Sequence, residues 1–142
     1  MNDDIAIEDG DPDIGVDIED ELLNTLRTTL PQNRNVSFVL AAKDSEGCLI
    51  GGLTAHASYG WLLIKTLWVA EAFRHRGLGR RFVTQAEERA RSLGCHGAWL
   101  DTSNPEAMRF YAKLNYECFG QLANQADQPP SSHRRWFLQK QL

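Results

Sequence analysis

Leu67-Trp68-Val69-Ala70-Glu71-Ala72-Phe73-Arg74-His75-Arg76-Gly77-Leu78-Gly79 is the stretch that decides the fold. Behind it, from Trp61 onward, the chain is apolar except for Lys65 and Thr66, as expected of a strand covered on both faces. Ahead of it Leu78, Phe82, Ala86, Ala90 and Leu93 recur at helical spacing, with Arg81, Glu88, Arg89 and Arg91 mostly off that face. A buried strand therefore runs through a basic, glycine-containing turn into an amphipathic helix. The first N–H groups of a helix have no internal partner and sit at the positive end of its dipole, which invites a phosphate. Gly77 and Gly79 let backbone approach an anion without a Cβ in the way, and Arg74, Arg76, Arg80 and Arg81 add positive charge. A plain strand-to-helix turn with surface arginines would use the same residues. A dinucleotide fingerprint would need a third glycine where Phe82 stands, and a Walker A loop would need Gly-Lys followed by Ser or Thr. Neither is present.

Upstream of this stretch, residues 36–43 and 48–56 read as two strands joined by Asp44-Ser45-Glu46-Gly47, and Tyr59-Gly60 turns the chain into strand 61–69. Residues 1–17 are polar, with room for a short strand at 5–7. Ile18, Leu22, Leu26 and Leu30 then mark a helix that Asp17 would cap and Pro31 would end. Downstream, Gly94 stands where a helix stops, and residues 98–101 form a short strand. Asn104-Pro105 is a cap followed by a proline in the first helical position. Ala107, Phe110, Tyr111 and Leu114 give that helix a buried face, and Asn115 tolerates the left-handed conformation of a helix stop. Two apolar-aromatic strands, 116–122 and 135–142, flank a polar loop through Gln128-Pro129-Pro130-Ser131-Ser132. The order β-α-β-β-β-α-β-α-β-β describes an α/β (α+β) domain with a mixed sheet.

The 142 residues, 42% hydrophobic and 24% charged, suit one globular domain spanning residues 1–142. The net charge of −4 is uneven. Residues 1–26 carry ten carboxylates and no Lys or Arg, so their charge is −10; residues 27–142 set fifteen cations against nine carboxylates, which is +6. No apolar run is long enough to span a membrane, and the acidic N-terminus lacks the features of a secretory signal. Cys48, Cys95 and Cys118, and His56, His75, His96 and His133, are scattered without metal-ligand spacing. No metal, no membrane, no nucleic-acid partner and a reduced, cytoplasmic setting are the expectations.

Arg74-x-x-Gly77-x-Gly79 resembles the Gln/Arg-x-x-Gly-x-Gly/Ala signature of the GCN5-related N-acetyltransferases (GNAT), and Asn104-Pro105-Glu106-Ala107-Met108-Arg109-Phe110-Tyr111-Ala112-Lys113-Leu114-Asn115-Tyr116 resembles the family's Asn-x-x-Ala-x-x-x-Tyr-x-x-x-Gly-Phe/Tyr segment. The likeness covers about residues 36–142, in the family's element order. Asn115 replaces the usual Gly. The resemblance implies a GNAT-type acyl-CoA N-acyltransferase fold, with a mixed, mostly antiparallel central sheet flanked by helices. It also implies acetyl transfer from acetyl-CoA to an amine within a ternary complex, without a Cys nucleophile.

By the same resemblance Arg74, His75, Arg76, Gly77, Leu78, Gly79 and Arg80 would hold the pyrophosphate of coenzyme A. Backbone groups of Leu67, Trp68 and Val69, on a strand that splays from its neighbour, would meet the pantetheine arm, with an N–H near Val69 facing the oxyanion. Asn104 would bond the same arm or simply cap its helix. Tyr111 would protonate the leaving thiolate, unless it is only a core tyrosine. The general base stays open between Glu71, Asp101 and His56, or a base acting through a water chain. Tyr59, Trp61, His56 and His133 would line the acceptor side. The acidic N-terminal part would help wall that side, which favours a small cationic amine, or would be a solvated acidic tail that only aids solubility. An acyl-CoA-sensing domain without turnover, and an enzyme acting on a protein amine or an aminoacyl-tRNA, are the rival readings. A homodimer through an exposed sheet edge near the C-terminus is compatible with all of these.

Overall fold

The computed structural model describes residues 5–30 and 35–142. The chain divides into two compact units, Met1–Asn33 and Arg34–Leu142.

In the first unit, residues 5–10 are irregular, so the short strand expected at 5–7 is absent. Helix α1 spans Pro12–Thr29. It starts before the expected cap at Asp17. Asp11 is the cap instead, its side chain accepting from the Ile14 N–H at 3.3 Å, and Pro12 opens the first turn. A proline there loses no helical bond and has its φ already set. Gly15 lies inside the helix rather than before it, because a favourable cap and first turn outweigh the roughly 1 kcal/mol an internal glycine costs. Pro31, the expected stop, lies outside the described residues.

The second unit is a six-stranded sheet with two helices. Strands β1 (Asn35–Lys43), β2 (Leu49–Ser58) and β3 (Trp61–Val69) form an antiparallel meander. A 3₁₀ turn at Glu71–Phe73 leads to helix α2 (Leu78–Ser92). Strand β4 (Gly97–Thr102), helix α3 (Pro105–Lys113) and strands β5 (Glu117–Ala123) and β6 (Arg134–Gln141) follow. The sheet order is β1-β2-β3-β4-β6-β5, mixed and mostly antiparallel, with β3 and β4 the parallel pair. Strand β5 is an edge, as the sequence suggested for the C-terminal part.

Leu53, Ala55 and Ala57 of β2, Leu62 and Ile64 of β3, Ala98 and Leu100 of β4 and Leu138 of β6 are buried on one face. Phe82, Val83, Ala86 and Ala90 of α2 and Tyr111 of α3 join the same cluster, so both helices cover that face. Each large apolar side chain buried there contributes about 1.5–3 kcal/mol. Gly94 (φ +87°) and Asn115 (φ +71°) take the left-handed conformation after α2 and α3. Asn can adopt it where the family pattern has Gly.

Two irregularities place the site. In β3, Thr54 faces Thr66 but Ala55 faces Ile64, leaving Lys65 as an inserted residue. Such a bulge bends and twists its strand. On the other side, β3 pairs with β4 only through Trp61–Gly97, Leu62–Ala98 and Leu63–Trp99. Beyond Leu63 the two central strands part.

Candidate active site

The gap between β3 and β4 is a cleft of about 370 Å³. Ile64, Lys65, Thr66, Leu67 and Trp68 line one wall, Leu100, Asp101 and Thr102 the other, and Ala107, Phe110 and Tyr111 of α3 complete it. A strand taken from its neighbour leaves backbone N–H and C=O groups in need of partners, so this wall can pair with an extended amide-bearing chain.

The glycine turn follows the end of β3. Arg74 does not project freely here: its Nε donates to the Val69 carbonyl at 2.9 Å and ties the turn to the strand. The Arg76 guanidinium lies 5.4 Å from the Phe73 ring centroid. His75 (φ +63°) and Gly77 (φ +79°) are both left-handed, and Gly77 is the residue before the first turn of α2. Among the described residues, none of the backbone N–H groups of residues 75–80 finds a hydrogen-bond partner; the first to be paired is that of Arg81, on Gly77. Six consecutive unpaired donors at a helix start, beside Arg76, Arg80 and Arg81, are an arrangement able to take an anion. Gly79 also lies close to the cleft lining. A Cβ there would lie 3.3 Å from Cζ of Phe110, so the turn and the cleft lining touch at this point.

Tyr111 is buried, and desolvation pushes its phenol well above the usual value near 10. It therefore stays protonated at neutral pH. Among the described residues its hydroxyl has no hydrogen-bond partner. Its ring is crossed edge-on by Phe110 at 5.0 Å and by Tyr116 at 5.3 Å.

The base candidates separate by position. Asp101 lines the cleft with Tyr111 and lies 3.7 Å from Nε of Arg135. Glu71 sits exposed in the 3₁₀ turn, outside the cleft lining. His56, on β2, also lies outside that lining; its Nδ1 is 2.7 Å from the Ser37 hydroxyl. Asn104 acts as the α3 cap, accepting from the Glu106 N–H at 2.9 Å.

Among the acceptor-side candidates, His133 is 3.5 Å from the Ser103 hydroxyl, next to the β4 wall of the cleft. Tyr59 and Trp61 lie elsewhere. Tyr59 is in the turn before β3 and Trp61 starts the strand, where β3 and β4 are still paired. The Trp61 ring packs against His96 and over Gly97, whose missing Cβ leaves it room. The strand runs about 3.3 Å per residue, which puts Trp61 at the opposite end from the turn. Arg135, the Lys65 bulge and the Phe110–Gly79 contact escaped the sequence reading because each arises from cross-strand register or inter-helix packing. Asp44, Glu46 and Cys48 are the one close group of metal-type ligands among the described residues. Their geometry is that of a turn: Asp44 accepts from the N–H groups of Glu46 and Cys48. No helix among the described residues is long and apolar enough to cross a membrane.

Residues 7–116 match the model of the acetyltransferase (GNAT) family. The chain is similar to the acetyltransferase Atu2258 of Agrobacterium fabrum (37% identity over 83 residues, 58% of this chain and 61% of the relative). It is also similar to blasticidin-S acetyltransferase of Streptomyces morookaense (39% over 94 residues, 66% and 67%). The first match thus spans about three fifths of that relative's length. Among solved structures, an acetyltransferase from Bacillus cereus superposes with a TM-score of 0.83 at 27% identity, covering 97% of this chain and 98% of the other. A complex with acetyl coenzyme A from Bacillus anthracis shares the fold, with a TM-score of 0.65 at 18% identity over 80% and 65%.

Proposed function

From the premise that the chain belongs to the acetyltransferase (GNAT) family, we propose that it transfers the acetyl group of acetyl-CoA directly to the amine of a small cationic acceptor. The observation that carries this is the run of unpaired N–H groups at residues 75–80 leading into a cleft that holds Tyr111 and Asp101 together. These N–H groups are an anion cradle that binds the pyrophosphate, with Arg76 and Arg80 supplying charge. Arg74 holds the cradle to β3 through the Val69 carbonyl. The free edge of β3 at Leu67 and Trp68 pairs with the pantetheine amides, while Val69, just beyond the cleft lining, has its carbonyl held by Arg74. An N–H near Val69 stabilises negative charge developing on the carbonyl oxygen, an effect that can be worth about 3–4 kcal/mol.

Asp101 is the base that takes the proton of the attacking amine, preferred to Glu71 and His56 because it alone of the three lines the cleft. Tyr111 donates its proton to the departing sulfur, a role suited to a phenol that burial keeps protonated. The likeness to a protein named for blasticidin S supports a small-molecule acceptor. The ten carboxylates of residues 1–26 favour a cationic one.

The test is thiol release from acetyl-CoA across blasticidin S, streptothricin, polyamines, aminoglycosides, amino acids and peptides. Turnover of one cationic small molecule above the rest is expected. Coenzyme A binding with no thiol release for any amine would support a sensing domain instead, and turnover of peptides alone would move the acceptor to proteins.

A further inference from the structure

Glu87, on α2, is the one charged residue counted as buried among the described residues, at 6% exposure. Both its carboxylate oxygens accept from Nζ of Lys140 on β6 at 2.9 Å, and Oε2 also accepts from the Tyr116 hydroxyl at 3.1 Å. Lys140 Nζ lies 5.5 Å from the centroid of the Tyr116 ring. Tyr116 is coupled to Tyr111 twice: its backbone N–H donates to the Tyr111 carbonyl at 3.1 Å, and the two rings cross at 70°. Around this cluster α2 presents Val83, Ala86 and Ala90, an apolar face that would accept an apolar side chain at position 87.

A buried ion pair is a weak source of stability, because desolvation offsets most of its attraction. Its hydrogen bonds are directional, however. The carboxylate fixes the Tyr116 hydroxyl and its O–H direction and, because a phenolic O–H prefers the ring plane, the plane of that ring as well. The edge-on contact then fixes the plane of Tyr111. The Tyr111 hydroxyl has no hydrogen bond of its own among the described residues, so the rings packed on it hold its oxygen in place, and the preference of a phenolic O–H for the ring plane sets where its proton points. We propose that Glu87, Lys140 and Tyr116 are positioning residues that aim the Tyr111 hydroxyl into the cleft, at the sulfur of coenzyme A. This rests on the reading of Tyr111 given above.

The test needs no acceptor. Calorimetry compares coenzyme A with desulfo-coenzyme A, which lacks the sulfur. A hydroxyl–sulfur hydrogen bond should give a preference of about threefold to tenfold that Tyr111→Phe removes. Tyr116→Phe keeps the ring but not the hydroxyl, and Glu87→Leu removes the acceptor. Each should lose most of that preference while binding desulfo-coenzyme A within about twofold of the parent. Adding Tyr116→Phe to Tyr111→Phe should change nothing further. Full preference in both Tyr116→Phe and Glu87→Leu, or an equal loss for both nucleotides, would overturn the inference and leave the Tyr111 reading standing. A preference that survives Tyr111→Phe would overturn the reading of Tyr111 itself, and the inference with it.

Discussion

Gly77 can be tested apart from the bulk it would add. Its φ is +79°, and a Cβ built on it meets nothing within 4 Å. Gly77→Ala therefore introduces no clash, only the strain of an L-residue in the left-handed region, roughly 1–2 kcal/mol. The stiffer unfolded chain returns about 0.4–1 kcal/mol of that. The net loss of about 1 kcal/mol should lower the melting temperature by about 2–5 °C. Binding should suffer more. If the turn relaxes so that one N–H leaves the anion cradle, a charge-assisted hydrogen bond of about 1.5–3 kcal/mol is lost, at least a tenfold weaker Kd for coenzyme A by calorimetry. Gly94 provides the control, since it is also left-handed (φ +87°), also open, and at the other end of α2. Gly94→Ala should cost the same few degrees and leave coenzyme A affinity unchanged. Gly77→Asn, which tolerates the conformation, should recover much of both losses. Equal coenzyme A affinity in Gly77→Ala and Gly94→Ala would refute the cradle.

Tyr111→Phe should lower kcat by at least tenfold while coenzyme A affinity falls by no more than the roughly threefold to tenfold that the hydroxyl–sulfur bond supplies; and because burial raises the phenol above 10, wild-type kcat should show no alkaline fall assignable to Tyr111 up to about pH 10. Lys140→Met strands a buried carboxylate and should cost about 3–5 kcal/mol by urea denaturation, whereas Glu87→Leu with Lys140→Met and Tyr116→Phe, which leaves no buried polar group without a partner, should be near neutral. Glu87→Leu alone should cost less than Lys140→Met, because the Lys140 side chain is 19% exposed and can reach water while Glu87 cannot. Gly97→Ala would put a Cβ 2.5–2.8 Å from the Trp61 ring and should cost about 1–3 kcal/mol in thermal melts.

What could be read from the sequence was local. Strand β3 was legible to the residue, since an unbroken apolar run between Tyr59-Gly60 and the glycine turn leaves it one reading. The start of helix α3 was too, because Asn104 and Pro105 announce it; its end falls at Lys113, one residue short of the Leu114 that the apolar spacing included. The start of α1 was misread because apolar spacing begins at Ile18, while the cap and proline that nucleate the helix sit at residues 11 and 12. The run of unpaired N–H groups before α2 was legible for the same reason as the start of α3: a helix start is written in adjacent residues, and its orphan N–H groups follow from helix geometry.

Only the tertiary structure decided what the cleft contains. Opening it depends on a bulge at Lys65 and on β3–β4 pairing that ends at Leu63, and no periodicity encodes either. It admits Asp101 while leaving Glu71 outside, and it leaves Trp61 at the far end of its strand. It brings Glu87 of α2, Tyr116 of the loop after α3 and Lys140 of β6 together, the ion pair alone spanning 53 positions. Backbone propensities, caps and turns are short-range and survive in a one-dimensional string. Side-chain encounters across a twisted sheet depend on register and on where pairing stops, and those are set by the packing of the whole unit.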